Sequence, residues 1–492
     1  MSPSSSPHPL LLQINTRVEV NRLSQQLGRP ATLDDIDEQQ IGCWQDAGYQ
    51  WIWLLGVWQT GLASQQVSRN HPAWQQEYRE TLVDLTEQDI GGSCFAIADY
   101  QVHHDLGGPE ALAKLRQRLA QRGLKLMLDF VPNHIALDHP WVSQTPAMVI
   151  NASEQQLCLQ PGNYCRLSNG PIIAYGRDPH LPGWPDTAQL DYSQPAVQQA
   201  MMTTLQHIAD QCDGVRCDMA MLQLPEVFAR TWGLAMAPFW PQAIAQVKQH
   251  HPDFIFMAEV YWDMEWPLLQ QGFDYAYDKR LYDRLFSHQA EAIHAHLSAD
   301  LNYQRQLVRF IENHDEARVS QQLSAEQHRA AALIALTAPG CRFIHQGQQL
   351  GYRARITPHL IRGPNEPTDA HLAAFYQQLL SCLREPVMHF GDWQLCHCDL
   401  AWPDNHSCQR IIAMSWHQAD EQFLVVVNYA ADASQGYLRG PFIPRQSEQL
   451  EFSDLLSDAC YVRDNRQLQQ QGLYLDLPAW GYHLFQVSAK AN

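Results

Sequence analysis

The chain has 492 residues and carries 33 Lys and Arg against 52 Asp and Glu, a formal net charge of −19. Hydrophobic residues make up 45% of the chain, which suffices for a sizeable core and excludes an intrinsically disordered protein. Because so acidic a surface repels phosphate groups, we expect neither nucleic acid nor a membrane surface as a partner. The 15 Trp suit flat neutral ligands such as sugars, although tryptophans also fill cores.

Eight short apolar segments rich in β-forming residues follow one another, with helical patterns between them. Near-continuous apolar strands that alternate with helices are typical of a parallel sheet buried on both faces. Eight such units predict an α/β fold, the (β/α)8 TIM barrel, and a doubly wound open sheet is the alternative. The predicted strands cover residues 11–18, 49–57, 124–131, 214–217, 254–258, 273–277, 307–311 and 341–345.

Two of the intervening helices have clear end signals. An apolar repeat at helical spacing follows Gly108, and Gly123 supplies a C-terminal stop just before the third strand. A second helix opens with Ser193-Gln-Pro195. Here Ser193 is the predicted N-cap and Pro195 lies in the first turn.

Two parts of the chain depart from the alternation. Residues 135–192 follow the third strand and are rich in Pro, Gly, Asn and Asp, which is typical of a functional loop or small subdomain. From residue 386 the pattern changes to short alternating runs, which favour an antiparallel β-domain. We therefore predict a catalytic barrel over residues 1–385, a small domain inserted at 135–192, and a C-terminal β-sandwich over 386–492.

Acidic residues stand at the C-terminal ends of four predicted strands, where TIM barrels place their active sites. Burying a carboxylate there is costly unless its charge is needed, although any single one could be a structural ion pair. Carboxylates that converge on one mouth indicate glycoside cleavage, in which a group with a pKa raised by neighbouring carboxylates protonates the leaving oxygen. The residues are Asp129 and His134 after strand three, Arg216 and Asp218 after strand four, Glu259 after strand five, and Asn313, His314 and Asp315 after strand seven.

Four segments of the chain resemble the signature regions of the α-amylase family, glycoside hydrolase family 13. They follow the family's order and fall on the expected strands, and the resemblance extends over about residues 10–385. The family's C-terminal domain also suits the predicted β-domain. The segments are Asp129-Phe-Val-Pro-Asn-His134, Gly214-Val-Arg-Cys-Asp218, Ala258-Glu-Val-Tyr-Trp262 and Asn313-His-Asp315.

The resemblance implies a role for each of these positions. Asp218 would be the nucleophile, Glu259 the general acid and then the general base, and Asp315 the group that stabilises an oxocarbenium-like transition state. Arg216 would hold Asp218 ionised. The remaining substrate-binding residues would be His134, His314, Asp129, Asn313, Trp262 and Phe95, of which Phe95 stands where the family more often has Tyr. Trp58 and Trp262 follow strands two and five and are candidate platforms for a sugar ring.

Two departures from the family pattern concern metal binding. Asp218 is followed by Met-Ala-Met where many amylases have a Lys-His pair, and Gln189 replaces an Asp of the family's calcium site. Asn133 alone cannot supply the six to eight oxygens of a calcium site. Although members of the family bind calcium, we therefore expect no metal and no cofactor here.

Other possible sites carry weaker signals. Cys396-His-Cys398 and the pair Cys212 and Cys217 lack the spacing of zinc sites, and His103-His104-Asp105 is typical of a loop cluster. The 12 Cys follow no framework, which favours free thiols. No signal peptide or apolar stretch of 18 residues occurs, so we expect a soluble cytoplasmic protein.

The loop after strand eight contains three Arg in an otherwise acidic chain. These Arg either pair with carboxylates at the rim, or Arg353 or Arg355 shapes the acceptor side and favours a small or anionic acceptor. The second possibility predicts a preference for short substrates over starch.

The sequence as a whole predicts a retaining α-glycoside hydrolase that acts on α-glucans or short α-glucosides through a covalent glycosyl-enzyme. A transglycosylase or phosphorylase that acts on small α-glucosides such as sucrose is the alternative, because it shares the first half-reaction. A non-catalytic interaction protein with the amylase fold is a remote alternative, since it would be expected to lose the carboxylates. The expected partner is a small carbohydrate; the sequence leaves the oligomeric state and the natural acceptor open.

Overall fold

Eight parallel strands close into a barrel in the computed structural model, which describes residues 7–168, 170–440, 442–443 and 447–490. Each strand pairs with its neighbours in chain order, and the first pairs with the last, which confirms the (β/α)8 prediction. The strands are β1 (Leu10–Asn15), β2 (Trp51–Leu55), β3 (Lys125–Phe130), β4 (Gly214–Cys217), β5 (Ile255–Ala258), β6 (Tyr275–Tyr277), β7 (Leu307–Arg309) and β8 (Cys341–His345).

The barrel strands are apolar because both of their faces are covered. Every residue of β1, β2 and β8 is buried, since layers of side chains fill the barrel and helices cover its outside. The longer helices are Thr16–Leu27, Glu38–Asp46, Leu62–Asn70, Pro72–Thr81, Gly108–Gln121, Pro195–Ala209, Pro225–Trp232, Trp240–His250, Lys279–Phe286, Ala290–Leu297, Ala325–Thr337 and Ala370–Leu383. Shorter ones are Pro140–Gln144, Glu154–Leu159, Glu265–Gln270, Leu301–Arg305, Val319–Gln322, Pro386–Phe390 and Asn465–Gln471.

The two helix-end predictions have different outcomes. The helix that begins at Gly108 ends at Gln121, and Gly123 adopts the left-handed conformation that returns the chain to β3. The helix that begins at Pro195 has Gln194 as its N-cap, so the prediction of a Ser193 cap is wrong. The Ser193 hydroxyl instead donates to Asp191 Oδ1 at 2.6 Å, because this carboxylate two residues earlier competes for it.

The segment between β3 and the next barrel helix forms small antiparallel pairs at the C-terminal end of the barrel. His134–Ala136 pairs with Thr187–Gln189, and Tyr164–Arg166 pairs with Ile172–Ala174. A further pair, Trp58–Thr60 with Ile97–Val102, follows β2. These short strands place His134 and the loop from 175 to 186 beside the mouth of the barrel.

The C-terminal part folds into two antiparallel sheets, as the alternating pattern predicts. The strands are β9 (Asp392–Leu395), β10 (His397–Leu400), β11 (Ile411–Gln418), β12 (Glu421–Asn428), β13 (Ser434–Arg439), β14 (Gln449–Asp454), β15 (Cys460–Asp464), β16 (Leu473–Leu477) and β17 (Tyr482–Ala489). The six-stranded sheet has the order β9-β11-β12-β17-β14-β15, and the three-stranded sheet has the order β10-β13-β16.

Alternation along β11 and β12 divides the larger sheet into two buried faces. Met414, Trp416 and Val425 belong to the same apolar cluster as the barrel, whereas Ala413 and Leu424 belong to a separate core between the two sheets. Period-two alternation therefore joins the β-domain to the barrel on one face and to its own second sheet on the other. Within the described ranges, no helix combines the length and the apolar character needed to cross a membrane.

Candidate active site

Arg216 lies at the centre of a cluster of buried charges at the C-terminal ends of β3, β4 and β5. Its Nη1 atom is 2.6 Å from Asp218 Oδ1, and its Nη2 atom is 2.7 Å from Glu259 Oε2. Strand register places Asp129 directly beside Arg216, with Nη1 and Oδ1 3.9 Å apart. One guanidinium therefore holds the predicted nucleophile and the predicted acid at the same point of the barrel mouth.

Glu259 is buried and is bonded through both carboxyl oxygens. The backbone N–H of Met219 donates to Oε2 at 2.6 Å, and the Tyr261 hydroxyl donates to Oε1 at 3.2 Å. Burial raises the pKa of Glu259 to about 7, Arg216 opposes that rise, and Asp218 and Asp315 add to it. The sequence predicts a pKa raised by neighbouring carboxylates, whereas burial is the larger cause. A carboxyl group with this pKa can hold a proton near neutral pH and release it to a substrate.

Asp218 directly precedes Met219, the residue whose N–H donates to Glu259. Its own N–H donates to Phe130 O at 2.8 Å, which fixes the end of β4 against β3. Burial raises the pKa of Asp218, and the ion pair with Arg216 opposes that rise. Met219, whose N–H donates to Glu259, has φ +43°, a left-handed conformation that a non-glycine residue keeps only where its surroundings enforce it.

The chain after β7 contributes Asn313, His314 and Asp315. Asn313 is fully buried, and its Oδ1 accepts from the N–H groups of Asp315 and Glu316, both at 2.9 Å, so that it shapes the turn. His314 Nε2 lies 3.1 Å from Asp315 Oδ2, and Nδ1 lies 2.8 Å from the side-chain amide of Gln13 in β1. The Asp315 side chain is 38% exposed, so it is the carboxylate of the cluster that faces the open mouth.

Asp129 forms the floor of the cluster. Its carboxylate accepts from Trp53 Nε1 at 3.1 Å and from the N–H of Gly56 at 2.8 Å, and burial raises its pKa to about 7. Trp58 is 1% exposed, and its Nε1 donates to the Asp129 backbone oxygen at 2.8 Å. The prediction of Trp58 as a sugar platform is therefore wrong, because this indole belongs to the core.

Three aromatic or imidazole side chains border the carboxylates. The half-buried Phe95 ring has its centroid 5.4 Å from that of His314, and the Arg216 guanidinium carbon lies 5.1 Å from the Phe95 centroid. His134 lies 5.0 Å from the ring of Trp184, between centroids, and burial lowers its pKa to about 3. Burial likewise lowers the pKa of His314 to about 3, so both histidines are neutral hydrogen-bonding groups at neutral pH.

Trp262 lies at the edge of this group, on the loop after β5. It is half-buried and makes an edge contact with His180, 4.8 Å between ring centroids. Trp262 and Asp263 have φ values of +60° and +61°, an uncommon conformation for such residues that is typical of constrained functional loops. The structure thus places all ten predicted site residues at one end of the barrel, although Asp129 and Asn313 lie beneath the surface.

The residues at the family's calcium position do not fit a calcium ion. The Gln189 amide donates to Asn133 Oδ1 at 3.1 Å and to its backbone oxygen at 3.0 Å, while Gln189 Oε1 accepts from Asn133 Nδ2 at 3.1 Å. These amides satisfy each other, and no carboxylate is among them. Calcium prefers several charged or free oxygens, which this hydrogen-bonded pair of amides does not offer.

Residues that the sequence did not single out also contribute to the cluster. Gln13 in β1 supports His314, Trp53 supports Asp129, and Tyr261 contacts Glu259. The signal that could have identified Tyr261 is its position, because it lies two residues after Glu259 within the segment Ala258–Trp262. Gln13 and Trp53 come from β1 and β2, whose strand ends carry no acidic residue to attract attention.

Two further features lie outside this cluster. A cavity of about 850 Å³ opens on the outer side of β1 and β8, but none of the predicted site residues lines it, so cavity size does not locate the candidate site. Among the described residues, His103, His104 and Asp105 are the group of three whose ligand atoms lie within 4.8 Å of one another. His103 there accepts from the Asp105 N–H, as expected of a loop cluster.

The family model and the two relatives described here are all amylases. A family model described as the α-amylase catalytic domain matches residues 74–161. The α-amylase MalA of Haloarcula japonica is 23% identical over 365 residues, which cover 71% of this chain and 50% of that protein. The intracellular maltogenic amylase of Bacillus subtilis is 22% identical over 266 residues, 53% of this chain and 43% of that protein. The chain spans about half the length of the curated relatives it matches.

Solved structures match the whole fold. A noncanonic maltogenic α-amylase from Thermotoga neapolitana superposes with a TM-score of 0.69 at 18% identity, covering 98% of both chains. The α-amylase of Geobacillus thermoleovorans in complex with acarbose has a TM-score of 0.68 at 17% identity and covers 100% of both chains. The barrel and the C-terminal sheets therefore share one arrangement with these proteins.

Proposed function

We propose that the chain is a retaining α-glycosidase of the α-amylase family, glycoside hydrolase family 13, acting on α-glucans or short α-glucosides. The observation that carries the proposal is the shared contact of Arg216 with Asp218 and Glu259. Double displacement at an anomeric carbon requires two neighbouring carboxyl groups, a nucleophile and an acid, and the shared guanidinium holds Asp218 and Glu259 near each other. A non-catalytic role would give no reason to retain three converging carboxylates.

In the first half-reaction, Asp218 attacks the anomeric carbon while Glu259 protonates the glycosidic oxygen. Arg216 engages Asp218 Oδ1, which leaves Oδ2 as the attacking atom. Bond formation to Oδ2 and departure of the protonated leaving group give a covalent glycosyl-enzyme. Asp315, the exposed carboxylate, then lies where it can accept hydrogen bonds from the sugar and stabilise the developing positive charge.

In the second half-reaction, Glu259 acts as a base. It removes a proton from a water molecule, which attacks the anomeric carbon and releases Asp218 with net retention of configuration. His134, His314, Phe95 and Trp262 would hold the sugar meanwhile, the first two by hydrogen bonds and the last two by apolar contact. Asn313 and Asp129 support this site from beneath.

We also place the protein in the cytoplasm. All 12 cysteines are free thiols, which suits a reducing compartment, and one relative of known location is described as intracellular. A neutral carbohydrate is the partner that the site would bind.

Product analysis on maltose, sucrose, trehalose, maltooligosaccharides and starch, with and without phosphate, tests the proposal. We expect hydrolysis of α-1,4-linked substrates and a first-formed product in the α configuration, read by proton NMR. A β product would contradict the mechanism. Products that depend on phosphate, or new disaccharides without net hydrolysis, would favour the phosphorylase or transglycosylase alternative.

A further inference from the structure

The two carboxyl oxygens of Glu259 lie in different environments. Oε2 faces two donors, the Met219 N–H at 2.6 Å and the Arg216 Nη2 atom at 2.7 Å. Oε1 is bonded by the Tyr261 hydroxyl at 3.2 Å, the only partner that the described residues offer it. The Met219 donor is main chain, so no side-chain rotation removes it.

This asymmetry decides which oxygen can carry the acid's proton. A proton on Oε2 would point toward an N–H donor and a guanidinium cation, neither of which can accept it. A proton on Oε1 meets a hydroxyl oxygen with free lone pairs. The reactive proton therefore belongs on Oε1, the atom that Tyr261 contacts.

We propose that Tyr261 is a positioning residue, which keeps the proton of Glu259 on Oε1, the oxygen from which it is delivered to the leaving group. The inference rests on the proposed function, because it assigns to Glu259 the role of general acid. Tyr261 itself takes no part in bond formation and keeps its own proton throughout.

The hydroxyl can serve both protonation states of Glu259 by rotating about its C–O bond. In the free enzyme its oxygen accepts the carboxylic proton. When substrate binds, that proton turns from Tyr261 to the glycosidic oxygen, and after its transfer the Tyr261 O–H donates to the carboxylate left behind. Burial raises the pKa of Tyr261 well above its usual value, so the phenol stays neutral in both states. A neutral hydroxyl is the one side-chain group on this loop that both donates and accepts.

The loop is built to keep Tyr261 in place. The two residues that follow, Trp262 and Asp263, are both in the left-handed conformation, and Asp263 pairs with Arg280 at 2.5 Å. Left-handed backbone at two successive non-glycine residues persists only where the surroundings enforce it. The ion pair and the Trp262–His180 contact provide that enforcement.

Tyr261→Phe removes only the hydroxyl, and its effect is measured as kcat/KM on two aryl α-maltosides. We expect at least a tenfold loss on phenyl α-maltoside, whose leaving group needs protonation, and less than a threefold loss on the 2,4-dinitrophenyl compound, which does not. Tyr429→Phe is the matched control, because it also deletes a buried hydroxyl, one that donates to Leu285 O at 2.8 Å. It should leave the ratio of the two rates unchanged.

A double-variant comparison separates positioning from general damage. In a Glu259→Gln background there is no acid proton to orient, so Tyr261→Phe should cause no further loss on the activated substrate. Equal losses on both maltosides, or an additional loss in the Glu259→Gln background, would overturn the proposal. If the wild-type protein cleaves neither maltoside, the proposed function fails instead.

Discussion

Asp218 and Glu259 share one guanidinium, yet loss of each carboxylate should leave a different kinetic signature. Asp218→Asn should abolish nearly all turnover on every substrate, because no other described group is placed to attack the anomeric carbon. Glu259→Gln should lose roughly 100-fold or more on maltooligosaccharides but recover part of its rate on activated aryl glycosides. Steady-state kinetics with circular dichroism as a folding control checks both. Retention of a tenth of wild-type activity by Asp218→Asn would refute its assignment as nucleophile.

The raised pKa of Glu259 predicts the pH dependence of the rate. Since the acid must be protonated to react and its pKa is about 7, kcat/KM should fall as pH rises through about 7. Asp218 must be ionised, so the rate should also fall on the acid side, above the ordinary pKa of an aspartate because burial raises it. In Glu259→Gln, assayed on an activated substrate, the alkaline fall should disappear. An unchanged alkaline limb would show that another group titrates there.

For individual side chains, the sequence shows which chemical groups are present but not which of them are buried. The carboxylates and Arg216 were predicted because charged residues after apolar strands are unusual. The prediction of Trp58 as a sugar platform is wrong because its position after β2 does not show whether its indole turns into the core. Gln13 and Tyr261 escaped notice because a neutral side chain at a strand end is ordinary until its partner is known.

Among the elements, the short pair formed by His134–Ala136 and Thr187–Gln189 is the one that bears on metal binding. Gln189 lies fully buried on this pair and bonds Asn133 through both ends of its amide. Because these amides satisfy each other, we predict that chelator treatment leaves activity and melting temperature unchanged. A drop of several degrees that added calcium restores would contradict this, since a ligand bound only to the folded state raises its stability.

The bounds of the barrel strands show how closely apolar patterns in the sequence locate the ends of strands. The barrel strands lie inside their predicted segments to within a residue, because strands covered on both faces leave continuous apolar runs. β7 ends at Arg309, although the predicted strand continued to Ile311. Phe310 and Ile311 are fully buried, so burial alone cannot separate the last strand residues from the apolar start of the loop. The Ser193 cap failed for a local reason, the competing Asp191 carboxylate.

For the whole molecule, one face of the six-stranded sheet is part of the barrel's own core. Trp416 is fully buried there, and its Nε1 donates to Thr337 O at 2.7 Å. We expect Trp416→Ala to lower the free energy of unfolding by about 3–5 kcal/mol, measured by urea denaturation. Trp402→Ala is the control, because that indole is 52% exposed and its removal should cost within about 0.5 kcal/mol. A loss below about 1 kcal/mol for Trp416→Ala would mean that the two parts are stable independently.

The loop after β8 decides how the mouth treats the acceptor side of a substrate. Arg362 pairs with Asp84 and Asp89 at 3.0 and 2.7 Å, and Arg353 is exposed and directed to Ser320. Arg355 alone of the three reaches the carboxylate cluster, where it donates to Asp315 O at 3.0 Å while pairing with Glu77. The predicted pairing with rim carboxylates therefore holds for Arg362 and Arg355, and Arg355, which also contacts Asp315, is the candidate for shaping the acceptor side.

This arrangement predicts a preference for short neutral substrates. Because Glu77 already neutralises Arg355, we expect a neutral acceptor rather than an anionic one, and a higher kcat/KM on maltotriose than on soluble starch. Arg355→Ala should lower kcat/KM on maltotriose about tenfold and on starch by less, since a long glucan has further contacts to compensate. Arg353→Ala, the matched removal of a neighbouring guanidinium that does not touch the cluster, should change neither value. Equal losses on both substrates, or a clear preference for starch in the wild-type protein, would indicate an ordinary long-glucan amylase instead.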